Sequence, residues 1–147
     1  MWRQLAEWFE AGGPVMWPIL LLSVVGLTVA VERLFAFAAF FRSPPTATDE
    51  STAQAQLNRL QRGFALISTI ITAEPMLGIL GTVTGIIKTF GAFKLADAAS
   101  PLAATAGIGE ALVTTAAGLI AALVLIFPYN LLLALLARAA AKLEAKQ

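Results

Sequence analysis

Hydroxyls and a carboxyl group set in otherwise apolar sequence are the residues best placed to do chemistry in this chain, and the chemistry they suit is proton handling. Thr82 and Thr84 lie between Gly81 and Gly85, while Glu110, Thr114 and Thr115 lie between Gly107 and Gly118. A hydroxyl donates and accepts, so it can hydrogen-bond a proton carrier in either protonation state without carrying charge itself. An ionised carboxylate at a bilayer centre costs about 2.5–3.5 kcal/mol, so Glu110 must be protonated, paired or wet. Two roles stay open for it: a proton or ion site, or a structural hydrogen bond to a neighbouring helix. A lone intramembrane Thr commonly bonds its own i−4 carbonyl. Several at similar depth are what a polar path requires.

The inventory excludes other chemistries. With no Cys and no His, there are no thiol nucleophiles, disulfides, thiolate zinc sites or imidazole relays. The acidic residues form no D-x-D cluster and there is no Gly-rich phosphate loop, so hydrolase and kinase sites are not expected. We expect no enzyme, no metal and no cofactor. A net charge of +1 with scattered basic residues gives no phosphate-binding patch, and nucleic acid is not an expected partner.

The elements that position these residues are membrane helices. A chain of 147 residues that is 59% hydrophobic and 13% charged, with mean hydropathy +0.81, is too apolar for a soluble domain. Its fold class is all-α, with three transmembrane helices at about 15–41, 66–93 and 103–136 in a single membrane domain. The first run is a span and not a signal peptide, because Glu7 and Glu10 deny it a basic leader. A polar connector, 42–63, opens with Ser43-Pro44-Pro45, and a tail, 137–147, is Ala-rich and amphipathic. Glu74-Pro75 predicts a kink in the second span, and Ser100-Pro101 a capped start to the third. Glu74 and the Glu32-Arg33 pair fall nearer the cytoplasmic face, where anchoring or a local ion pair is the expected role.

Within the spans, small residues recur at helical spacing. Gly78, Gly81, Thr82, Gly85 and Thr89 form one stripe; Gly107, Ala111, Thr115, Gly118 and Ala122 form another. Close helix packing through Gly78, Gly81, Gly85, Gly107 and Gly118 is the plain reading, since such motifs let helices approach where lipid offers no hydrophobic reward. Orientation follows from charge. The connector and tail hold Arg42, Arg59, Arg62, Arg138, Lys142 and Lys146, against Arg3, Lys88 and Lys94 opposite. The connector side is therefore expected in the cytoplasm and the N-terminus outside, where Trp2, Trp8 and Trp17 suit the interface.

The segments Gly12-Gly-Pro-Val-Met-Trp-Pro-Ile-Leu with Glu32-Arg-Leu, Pro75-Met-Leu-Gly-Ile-Leu-Gly-Thr-Val-Thr-Gly85, Gly107-Ile-Gly-Glu-Ala-Leu-Val-Thr-Thr-Ala-Ala-Gly118 and Tyr129-Asn130 together resemble the ExbB/TolQ/MotA proton-channel family, and are most like its ExbB branch. The resemblance implies a homo-oligomer, a pentameric ring in the bacterial inner membrane, around two helices of an ExbD-like single-span partner that supplies a proton-carrying aspartate. It also implies a TonB-like protein that passes the work of proton flow to outer-membrane transporters. It places pore-facing roles on Thr82 and Thr115, and the family's motif glutamate on Glu110. The sequence departs from the family in its short connector, in Val124 where a proline is usual, with Pro128 displaced towards Tyr129, and in Glu74 where a small residue is common. The expected function is a proton-channel and scaffold subunit that energises TonB-dependent transport. The alternatives are a non-conducting membrane scaffold and a TolQ- or MotA-like stator.

Overall fold

In the computed structural model, residues 9, 11–42, 50–95 and 101–144 are described, with side chains at all of these except 50, 52, 53, 92–95, 101–104 and 144. The expectations for Trp2, Arg3, Glu7, Trp8, Glu10, Ser43-Pro44-Pro45, Ser100 and Lys146 lie outside the described residues, as does the side chain of Lys94.

Four helices follow in order: α1 Met16–Arg42, α2 Glu50–Gln61, α3 Phe64–Leu95 and α4 Pro101–Glu144. There is no strand among the described residues. Three helices are long and apolar enough to cross a membrane, α1, α3 and α4. At 1.5 Å per residue, the 27 residues of α1, 32 of α3 and 44 of α4 reach roughly 40, 48 and 66 Å, so α3 and α4 outrun a hydrocarbon core of about 30 Å. The apolar side chains left on their surfaces, such as Leu21, Phe35, Ile79, Ile87, Leu112, Leu123 and Phe127, are what helices solvated by lipid present.

Two glycines set the chain's entries. Gly13 has φ +69° and turns the chain into α1, with Met16 N donating to Gly13 O at 3.1 Å. Gly63 has φ +86° and separates α2 from α3, a left-handed position where a side chain costs about 1 kcal/mol or more. A Cβ there would also lie 2.8 Å from Val29 Cγ1.

The connector is more than a polar link, because α2 is a 12-residue helix that seats Leu57 and Leu60 on the other three. All four helices meet at this end around Ala30, Phe37, Phe64, Ile67, Leu132 and Ala139. Phe64 is the pivot, with ring centroids 6.2 Å from Phe37 and 6.1 Å from Tyr129, distances at which aromatic pairs attract. Pro75 and Pro128 sit inside α3 and α4, both of which continue through them; each proline removes one i→i−4 bond.

Candidate functional site

The longest contact in the molecule is the antiparallel seam between α3 and α4, and the glycine stripes form it. A Cβ on Gly78 would lie 3.1 Å from Thr115 Cα, one on Gly85 2.7 Å from Gly107 O, and one on Gly118 2.5 Å from Glu74 O. At these positions backbone meets backbone, which only glycine allows without moving a helix. Gly81 makes room for the Thr114 side chain and Gly107 for that of Thr89.

Across this seam Thr115 Oγ1 has two acceptors, Gly78 O at 3.0 Å on the facing helix and Ala111 O at 3.1 Å on its own. Thr82 Oγ1 donates to Ile79 O at 2.6 Å and is partly exposed, as is Thr115. Thr82, Thr89, Ile86 and Phe90 of α3 and Ile108, Ala111 and Leu112 of α4 line an apolar groove of about 490 Å³. Thr115 follows Leu112 on the same face of α4, one turn along. Thr82 and Thr115 therefore share one side of the seam, roughly one helical turn or 6 Å apart in depth.

The other sequence-predicted residues do not join them. Thr84, two positions from Thr82, is turned about 200° away and donates to Gly81 O at 3.0 Å. Thr114 is fully buried, its hydroxyl between Gly12 O at 2.6 Å and Glu110 O at 2.7 Å. It is a link between α4 and the segment before α1, not a surface hydroxyl. Glu110 forms an ion pair with Lys88, its carboxylate lying over Gly13, where a Cβ would collide with it. A second cavity of about 710 Å³ opens beside this pair, bounded by Ala11, Lys88, Gly107, Gly109 and Val113.

The carboxylate shut away from solvent among the described residues is Glu74, whose burial corrects the expected role of interfacial anchor or ion-pair partner. It is fully buried, begins about 15 Å into α3 from Phe64, and makes no ion pair among the described residues. Its Oε1 accepts from Ser23 Oγ of α1 at 2.7 Å, and its Oε2 is buried with no partner. The signal in the sequence was Ser23, an isolated hydroxyl in an apolar span that can serve a carboxylate on a facing helix. From Glu74 to Lys88 the helix rises roughly 21 Å, so the two carboxyl groups are far beyond direct proton transfer.

Long apolar helices with hydroxyls and small residues on one internal seam define a multi-pass, all-helical membrane protein. The chain belongs to the MotA/TolQ/ExbB proton channel family, which matches residues 45–145. It is 32% identical over 182 aligned positions to the putative biopolymer transport protein ExbB-like 1 of Synechocystis sp., covering 90% of this chain and 72% of that one. It is 30% identical over 133 positions to the biopolymer transport protein ExbB of Aquifex aeolicus, covering 90% and 84%. Against the biopolymer transport protein exbB1 of Vibrio cholerae the identity is 37% over 142 positions, covering 96% of this chain and 58% of that protein. No solved structure matches the chain with statistical significance.

Proposed function

We propose that this chain is the ring-forming, proton-channel subunit of an inner-membrane motor that energises TonB-dependent outer-membrane transport. Several copies, five by the family resemblance, surround helices of an ExbD-like single-span partner. The N-terminus lies in the periplasm and the α4 tail in the cytoplasm. Membership of a proton channel family supports the class of activity.

The observation that carries the reading is the placement of Thr82 and Thr115 on one partly open side of the α3–α4 seam, beside an apolar groove. An inserted helix brings a carboxyl group level with these hydroxyls, which accept from its protonated form or donate to its anion. Glu110 and Lys88 sit away from that groove, as a charged pair at the end of the seam near Gly13. Native mass spectrometry of the complex extracted with its genomic-neighbour partner tests the assembly. A ring holding an acidic single-span partner supports the reading; a monomer, or a ring that never binds such a partner, refutes it.

A further inference from the structure

We propose that the cavity between α1 and α2 binds the head group of an anionic phospholipid, phosphatidylglycerol being the species whose chemistry fits. The cavity holds about 550 Å³. Arg33, Gln56 and Arg59 supply its polar lining, and Ala36, Ala39, Phe40 and Leu60 its apolar wall. Arg33 lies roughly 26 Å along α1 from Met16, so with a hydrocarbon core of about 30 Å it stands where head groups begin. Polar groups at that level beside an apolar wall match an amphiphile better than they match a free anion.

Two buried atoms in the lining have no hydrogen-bond partner, Arg33 Nε and Gln56 Oε1. One is a donor and the other an acceptor, and each costs about 1–3 kcal/mol left unmet. The rest of the Arg33 guanidinium is fixed: Nη1 donates to Arg59 O at 3.3 Å and Nη2 pairs with Glu32. Its Nε–H edge has no partner among the described residues. A phosphodiester oxygen accepts from that edge, and a glycerol hydroxyl of the head group donates to Gln56 Oε1. Glu32 offsets the charge of Arg33, while Arg59 has no ion pair among the described residues, so the cavity retains one positive charge for one anionic lipid. A choline head group has no proton for Gln56 and sets a fixed cation near Arg59.

This inference is independent of the transport reading, and its test measures lipid alone. The full chain, stripped of lipid in detergent, is incubated with phosphatidylglycerol or phosphatidylcholine in mixed micelles, and retained lipid per subunit is counted by native mass spectrometry. Wild type is expected to keep one phosphatidylglycerol per subunit, about fivefold in preference to phosphatidylcholine. Arg59→Gln should bring that ratio near unity and Gln56→Leu should lower phosphatidylglycerol retention, while Arg138→Gln, another exposed arginine outside the cavity, changes nothing. Excess inorganic phosphate should not displace the lipid, because it makes no use of the apolar wall. Equal retention of the two lipids, no retained lipid, displacement by inorganic phosphate, or an Arg138→Gln loss equal to that of Arg59→Gln would each overturn the proposal.

Discussion

Ser23 of α1 donates to Glu74 of α3 at 2.7 Å, the hydrogen bond that ties the first span to a buried carboxyl group in the second. The same hydroxyl lies 2.8 Å from Ile19 O, an alternative acceptor. A protonated Glu74 can therefore donate to Ser23 Oγ while Ser23 donates to its own helix, and an ionised Glu74 can accept instead, with little movement of either chain. Ser23→Ala removes the partner in both states and should cost about 1–2 kcal/mol of stability. Glu74→Gln keeps a donor for Ser23 Oγ and should cost less. Denaturant titrations of the purified protein decide between them, and a Glu74→Gln variant weaker than Ser23→Ala would contradict this account of the contact.

The seam makes its own contrast between glycines. A Cβ on Gly118 meets Glu74 O and the Gly78 backbone, whereas one on Gly109 meets nothing within 4 Å. Gly118→Ala should destabilise by about 1–3 kcal/mol through overpacking, and Gly118→Leu should break the α3–α4 contact. Gly109→Ala should be neutral or stabilising by up to roughly 1 kcal/mol. Thermal unfolding in detergent reads both, and equal effects would show that helix propensity, not close approach, governs the stripe.

The pairing of Lys88 with Glu110 predicts non-additivity. Half of the Lys88 side chain is exposed, so solvent screens the pair and the coupling should be modest, about 0.5–1 kcal/mol in a double-mutant cycle of Lys88→Gln and Glu110→Gln. Glu110→Gln should leave assembly intact and impair transport. A zero coupling energy with unimpaired transport would reduce Glu110 to packing.

Thr114 links Gly12 O to α4. Thr114→Val deletes that link while keeping shape, and should raise amide exchange around Gly13 to Trp17 several-fold. Thr114→Ser should not. Unchanged exchange in the Val variant would mean that the segment is held by packing alone.

The spans were legible because apolar length alone reports them, and the seam because glycine recurs at helical spacing along α3 and α4. Pairings were not legible, since they depend on how far one helix slides and rotates against another. From sequence Glu110 is a carboxylate in need of a partner, and Lys88, 22 residues away, cannot be assigned to it from spacing alone. Glu74 lies nearer the Phe64 end of α3, the side expected in the cytoplasm, and what its sequence neighbours do not show is that Ser23 of α1 meets it there in a buried contact. Thr114 and Thr115 are adjacent in sequence, but a step of about 100° sends one into a buried contact with Gly12 O and leaves the other, partly exposed, facing Gly78 O across the seam. In the connector, polarity concealed Leu57 and Leu60, whose spacing gives α2 an apolar edge to seat on the bundle.

Proton flux tests the central claim most directly, namely that the subunit needs an acidic partner helix and the hydroxyls of Thr82 and Thr115. Within one chain Glu74 stands about 21 Å along α3 from Lys88, the partner of Glu110, with no His anywhere to bridge the two carboxyl groups. Proteoliposomes holding the subunit alone should show no flux above lipid. Those holding subunit and partner should conduct, and Thr82→Val or Thr115→Val should abolish conduction while the complex still purifies intact. Robust flux from the subunit alone, or normal flux in both valine variants, would contradict the account.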